Sequence, residues 1–181
     1  LGKLRDMLGF VPQKGVLFSG TIASNIKFGD ENISDEDMYK AAEIAQALEF
    51  IEGKEDKFDS EISQGGSNVS GGQKQRLSIA RALAKKPKIL LFDDSFSALD
   101  YKTDVKLRKT LREKMQDTTT IIVAQRIATI LNADKIIVMN EGKVVGIGKH
   151  QELLKTCPTY LEIAESQLSE EELAKGGKHN E

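Results

Sequence analysis

Two acids end an apolar run in ILLFDDSFSALD, residues 89–100. Asp93 closes four apolar residues that read as a strand, and ligands of open α/β sheets collect beyond such strand ends. A carboxylate there suits magnesium, which takes hard oxygen ligands and keeps waters while it holds phosphate. Asp94 follows where a catalytic base would sit, yet it is the shorter of the two acids. Taken alone, both residues also read as strand-end acids that cap the next turn. The second stretch is NVSGGQKQR, residues 68–76. Gly71 and Gly72 remove side chains, so a ligand can approach the backbone. Ser70 offers a hydroxyl, and the unpaired N–H groups of a helix start make an anion site without a basic residue. A lone SGG is an ordinary capped helix after a glycine loop. Here both glycines fall in the first turn, where they weaken the helix, and that local cost suggests close approach of something. Gln13 follows Pro12 at a strand end, where an uncharged amide can contact metal-bound water. Gln125 ends another strand; it can hydrogen-bond to a phosphate or water but cannot take a proton as histidine could. Their plain alternatives are a solvated loop and a polar strand terminus.

These residues need elements to hold them. LGFVP, residues 8–12, reads as a short strand ended by proline, and TIASNIKFG as a short helix. Ser34 precedes DEDMYKAAEIAQALEFI, with Asp37 at capping-box spacing and Met38, Ala41, Ala45 and Leu48 on one apolar stripe. Residues 53–69 are polar and glycine-rich. Ser70 and Gln73 again have capping-box spacing, and Leu77, Ala80 and Ala84 share a face of the helix that Pro87 ends. KILLFDD and TTTIIVAQ read as strands buried on both faces, separated by a helix over YKTDVKLRKTLREKM. KIIVMNEGKVVGIG reads as two strands joined at Asn140, Glu141 and Gly142. HQELLKTCPTYLEIAESQL is helical in two pieces, broken near Pro158. Alternating strands and helices predict a mostly parallel sheet covered by helices, with a helical insert and no strand over roughly residues 30–85.

Bulk properties narrow the classes. The 181 residues suffice for one domain with a core. Apolar content of 39% and charged content of 30% fit a soluble globular protein. The formal charge of -2 gives no broad basic footprint for nucleic acid. Cys157 is the single cysteine, which rules out an internal disulfide. No apolar run approaches membrane-spanning length and no signal peptide is visible, so membrane contact is expected through a partner. The chain opens without methionine and already patterned; composition leaves open whether residues 1–8 enter mid-domain.

In order, VPQKGVLFSGTIASNI, NVSGGQKQRLSIARAL, ILLFDDSFSALD, IIVAQRIATI and GKVVGIGKHQELLK resemble consecutive parts of the nucleotide-binding domain of an ATP-binding-cassette transporter, of the multidrug or lipid exporter type. The likeness covers roughly residues 8–168. It implies an α/β fold, a P-loop NTPase-like (ABC ATPase) core with a mostly parallel sheet and a helical subdomain, truncated at its N-terminus. The expected divisions are residues 1–29, a core segment with the Q-loop; 30–86, the helical subdomain and signature helix; 87–168, the core with Walker B, D-loop and switch strand; and 169–181, a flexible tail. By the resemblance Gln13 is the Q-loop glutamine, near magnesium and the coupling helices of a transmembrane domain. Ser70, Gly71, Gly72 and Gln73 form the signature that closes on the γ-phosphate of ATP held by a partner domain. Asp93 is the Walker B magnesium aspartate, Asp94 stands where the family usually has its catalytic glutamate, Asp100 is the D-loop aspartate, and Gln125 occupies the switch-histidine position. The implied cofactors are ATP and magnesium. The implied partners are a second nucleotide-binding domain and transmembrane domains of the same or an associated chain, at the cytoplasmic face of the membrane, with no nucleic acid.

Three departures modify that implication. Asp94 and Gln125 weaken the same site, since a base must sit within hydrogen-bond reach of its water and small misplacement is costly. Paired changes of this kind resemble the degenerate half of a heterodimeric exporter, which binds ATP at its own Walker B but hydrolyses it poorly while lending an intact signature to a non-identical partner. The loop around Gln64 also lacks the acid common ahead of exporter signatures. Finally, G-x-x-x-x-G-K-[ST] occurs nowhere in the 181 residues; the family places that Walker A loop earlier in the chain, so ATPase activity is expected of the full assembly and not of these residues alone. An ordinary homodimeric exporter that tolerates Asp94 and Gln125, and a non-transport ATPase or regulatory domain on the same fold, stand as alternatives.

Overall fold

The computed structural model describes residues 2–30, 32–169 and 173, and its contacts divide the chain into two compact units that part between Val123 and Ala124. The first unit holds, in order, helix α1 (Gly2–Asp6), strand β1 (Leu8–Val11), β2 (Gly20–Thr21), α2 (Ile22–Ile26), α3 (Asp35–Ile44), α4 (Leu48–Glu52), β3 (Glu61–Ile62), α5 (Gly71–Ala84), β4 (Ile89–Asp93), α6 (Tyr101–Lys114) and β5 (Thr119–Val123). Its parallel sheet has the order β1-β4-β5, with Phe10, Leu91 and Ile121 in one row and Val11, Phe92 and Ile122 in the next. Val11, Leu90 and Phe92 are fully buried and join one cluster with Leu77, Ile79 and Ala80 of α5. The α5 stripe of Leu77, Ala80, Leu83 and Ala84 is buried as its spacing predicts.

The expectation of a doubly buried strand holds better for β4 than for β5. In β5 the described side chains are exposed except Ile122, which is half-buried; Ile121 and Val123 stand about half in solvent, 49% and 51% exposed. The reason is position: among the described residues β5 has β4 as its neighbour on one side and no further strand of its own sheet on the other. Helix and strand runs of equal hydrophobicity do not reveal an edge.

The segment from 30 to 86 is mainly helical, with two differences from expectation. Residues Glu61–Ile62 form β3, antiparallel to β2, with Gly20 opposite Ile62 and Thr21 opposite Glu61. Two residues are too few to show alternation. The single helix expected after Ser34 is broken in two. Gln46 adopts a left-handed φ of 57° and its side-chain amide donates to the carbonyls of Glu43 and Ile44, closing α3 before α4 starts. The same amide reaches Thr110 on α6, while Arg76 of α5 donates to the Gln46 carbonyl at 2.7 Å. Tertiary partners thus satisfy the groups that a continuous helix would have used. At the start of α3, Ser34 accepts from the Asp37 N–H, but the Asp37 carboxylate turns to Lys86 at 2.8 Å, leaving half a capping box.

The second unit holds α7 (Ile127–Ile130), β6 (Ile136–Asn140), β7 (Lys143–Gly148), α8 (His150–Thr156) and α9 (Pro158–Gln167). Glu141 and Gly142 both have positive φ, 48° and 74°, the tight two-residue turn that suits a twisted hairpin. Pro158 starts α9 at its first turn, where its missing N–H costs nothing. Ile127, Ile136, Val138, Leu153, Cys157, Tyr160 and Ala164 make this unit's core. Of the segment 169–181, expected as a tail, residues 170–172 and 174–181 lie outside the described residues. Among the described residues no helix is long and apolar enough to cross a membrane.

Candidate functional site

The carboxyl end of β4 is built by side-chain stitches between adjacent strands. Ser95, fully buried, donates its hydroxyl to the Val11 carbonyl at 2.7 Å and lies 3.3 Å from the carbonyls of Pro12 and Asp93. Asp94 donates its N–H to Val123 of β5 at 2.8 Å, and its carbonyl accepts from the Ser97 hydroxyl at 2.7 Å. Between these anchors Asp94 takes a left-handed φ of 45°. Aspartate is one of the few L-residues that enters that region readily.

The loop leaving β1 therefore starts beside the two acids. Gln13 donates its side-chain N–H to Asp94 Oδ2 at 3.2 Å, across 81 residues of sequence. Asp93 is exposed at the strand end, and among the described residues no hydrogen bond engages its carboxylate. No group of three or more His, Cys, Asp or Glu is assembled among the described residues. Two carboxylates and one amide form an open set of hard oxygen donors. That set suits a magnesium ion completed by phosphate and water, and does not suit a closed all-protein cage.

The Ser70 cap of α5 has both halves of a capping box. Ser70 Oγ accepts from the Gln73 N–H at 3.2 Å, and Gln73 Oε1 accepts from the Ser70 N–H at 3.0 Å. The Gln73 carbonyl oxygen is thus engaged in the cap itself. The Gly71 and Gly72 N–H groups point out of the first turn without intrahelical acceptors. A Cβ built on Gly71 would meet nothing within 4 Å, and one on Gly72 would meet only the Ala98 carbonyl oxygen at 3.7 Å, an ordinary contact. Neither glycine has a positive φ. Glycine costs a helix interior up to about 1 kcal/mol relative to alanine and less in the first turn, and neither backbone conformation nor packing among the described residues requires glycine at these two positions.

Asp100 caps α6, accepting from the Thr103 N–H at 3.0 Å. Hydrogen bonding to Thr103 holds its carboxyl below the usual range, with a smaller contribution from the Arg76 charge. Arg76 in turn lies 4.8 Å over the Phe50 ring. Gln125 lies at the start of the second unit with an exposed side chain; its carbonyl accepts from Gln167 Nε2 at 2.8 Å, while Gln167 Oε1 accepts from the Ile127 N–H. The structure thus brings Gln13 to Asp94, beside Asp93, and groups Ser70, Gly71, Gly72 and Gln73 at one helix start.

Sequence reasoning passed over Ser95, Gln75 and Gln167. Gln75 carried a signal: with Ile79 and Ala82 it falls at helical spacing on a buried face, where a glutamine must find partners. Ser95 and Gln167 act on backbone atoms 84 and 42 residues away, and no local pattern announces such pairing.

Comparison with known proteins identifies the family. A family model described as "ABC transporter" matches residues 1–97. An ABC transporter ATP-binding protein of Mycobacterium tuberculosis is 46% identical over 168 residues, covering 91% of this chain and 28% of that protein. The ATP-dependent lipid A-core flippase of Chromobacterium violaceum is 42% identical over 170 residues, covering 94% of this chain and 29% of the flippase. The multidrug resistance ABC transporter ATP-binding and permease protein of Lactococcus lactis subsp. cremoris is 39% identical over 166 residues. The solved structure of a bacterial Atm1-family ABC exporter with ATP bound superimposes with a TM-score of 0.88 at 40% identity, covering 93% of this chain and 30% of that one. The chain spans about three tenths of the length of the curated relatives it matches. With more than half of its residues inside the family match, and with that family's mixed α/β ATPase fold of parallel sheet and helices, the chain belongs to the ABC transporter family.

Proposed function

We propose that this chain is the nucleotide-binding domain of an exporter, that it serves one ATP site through its α5 cap, and that it holds a second ATP at its own β4 end with little hydrolysis. The observation that carries the reading is the pair of glycines at the α5 start. Their cost to the helix has no internal purpose, and their outward N–H groups suit the terminal phosphate of a nucleotide held by another domain. The names of the relatives, a multidrug transporter and a lipid flippase, favour export over a non-transport use of the fold.

At the chain's own site Asp93 would hold magnesium directly or through water. Bound MgATP would supply the phosphoanhydride bond and the cation's charge. Gln13 holds the Asp94 carboxylate by one of its oxygens. Asp94 is one methylene shorter than glutamate, so it stands back from the position a general base needs. Gln125, in the switch position by resemblance, has no basic nitrogen to offer. Both residues keep polar groups that can face phosphate and water, while Asp94 reaches less far as a base and Gln125 accepts no proton. The partner that completes the assembly is then a second, non-identical nucleotide-binding domain with glutamate and histidine at these places. Both would act on transmembrane domains from the cytoplasmic face of the membrane.

The test is single-turnover hydrolysis in the complete transporter with the partner's own catalytic site disabled. Trapped, slowly hydrolysed ATP is expected at the Asp94 site. Fast turnover there would overturn the degenerate-site reading and favour a homodimeric exporter. In the otherwise intact assembly, Gly72→Asp should bring a carboxylate against the partner's phosphate and abolish most ATPase activity; unchanged activity would remove the role assigned to the cap.

A further inference from the structure

Gln75 lies on α5 two residues past Gln73 and is 1% exposed. Its side chain leaves its own helix and serves the loop that carries Gln13. Gln75 Oε1 accepts from the Gly15 N–H at 2.8 Å, and Gln75 Nε2 donates to the Pro12 carbonyl at 3.0 Å. These two backbone groups bracket Gln13 and Lys14. The loop also packs directly on the helix: a Cβ on Gly15 would meet the Lys74 carbonyl oxygen at 2.8 Å and its carbon at 2.9 Å. Ser95, just past β4, donates its hydroxyl to the Val11 carbonyl at 2.7 Å and lies 3.3 Å from the Pro12 carbonyl. The loop is thereby fixed between α5 and the end of β4, with the Gln13 amide on Asp94.

One helix therefore carries both the glycine cap and the amide that sets the Gln13 loop. We propose that Gln75 is a positioning residue that links the two nucleotide sites of this chain. Displacement of the α5 start by a partner's phosphate is passed through the Gln75 amide to Pro12 and Gly15, and so to the contact between Gln13 and Asp94. The inference rests on the function proposed above. A buried apolar side chain of the same length would fill the space but leave the Gly15 N–H and the Pro12 carbonyl without these partners, so the linkage is distinguished from backbone satisfaction by its dependence on Gln13.

The experiment uses the complete transporter with MgATP as the probe and reads kcat and KM separately. Gln75→Met keeps side-chain length and removes both hydrogen bonds. It is expected to lower kcat about tenfold, with KM for MgATP changed less than about twofold. In a Gln13→Ala background the same substitution should add less than about a twofold further loss, because the linkage already ends at residue 13. A merely structural role predicts the same loss in both backgrounds, and that result would overturn the proposal. Gly15→Ala approaches the linkage from the loop side, where its Cβ would press on the α5 backbone at Lys74 and force loop and helix start apart; it should reproduce the kcat loss and its dependence on Gln13, and full additivity would again overturn the proposal. Gly72→Asp runs beside them. If it leaves turnover unchanged, the cap has no partner phosphate and both readings fall. If it abolishes turnover while Gln75→Met and Gly15→Ala do not change kcat, the linkage alone is wrong.

Discussion

Asp94 illustrates how backbone conformation limits side-chain choice. Its φ of 45° is imposed by the Val123 and Ser97 hydrogen bonds on either side of it. A left-handed conformation costs most L-residues about 1–2 kcal/mol, glycine nothing, and aspartate less than most. Thermal unfolding without nucleotide should therefore rank Asp94→Gly at least as stable as the natural chain and Asp94→Ala about 0.5–1 kcal/mol below it. The exposed bond from Gln13 is too weak to reverse that order. An alanine variant more stable than the glycine variant would show that the turn relaxes when the side chain is removed. Residue types at 93, 94, 13 and 125 were legible from the sequence as candidate chemistry. The contact between Gln13 and Asp94 was not, because it joins two loops that only the β1–β4 pairing brings side by side.

Helix α5 is the element on which most of the arrangement depends. Its start was readable from Ser70 and Gln73, its end from Pro87, and its buried face from Leu77, Ala80 and Ala84. What local pattern could not show is how its long polar side chains cross to other elements. Arg81 donates to the Asn25 carbonyl at 2.7 Å, the Val16 carbonyl at 2.8 Å and Asn25 Oδ1 at 2.8 Å, with its guanidinium over the stacked rings of Phe18 and Phe28. A planar fork makes these bonds together and a point charge does not, so Arg81→Lys should destabilise the chain by about 2 kcal/mol in denaturant unfolding. The glycine pair gives the opposite outcome for stability. Gly71→Ala adds a methyl to open space and should stabilise the isolated chain by up to about 1 kcal/mol. In the complete transporter the same methyl would stand where a phosphate approaches the backbone, and ATPase activity should fall. A variant that gains stability and keeps full activity would return both glycines to the status of an ordinary loop end. The misreadings among the elements have a common cause: the edge position of β5 and the break at Gln46 are set by neighbours distant in sequence, and periodicity records only the local chain.

At the scale of the whole molecule the two units are expected to respond differently to acid. The chain has two histidines, at 150 and 179, so no histidine lies in the first unit. His150 is buried in the second, with Nδ1 2.8 Å from the buried Tyr160 hydroxyl and Nε2 without a hydrogen-bond partner among the described residues. Burial lowers the imidazole's pKa and raises the Tyr160 phenol to about 12. The signs follow from which state binds the proton. Below about pH 6.5 the unfolded chain protonates its histidine while the folded unit resists, so His150 makes stability fall as pH drops towards the folded value. Above about pH 10 the unfolded chain ionises its tyrosine while the folded unit holds the proton, so Tyr160 makes stability fall as pH rises towards about 12. Amide hydrogen exchange should show this locally. Between pH 7 and pH 5, after correction for intrinsic exchange, protection in α8 and α9 should decline while protection in the middle of α5 holds. His150→Gln, which cannot charge, should flatten the α8 and α9 response. If α5 instead loses protection in step with α8 and α9, the two units open together, and the imidazole is a trigger for the whole chain.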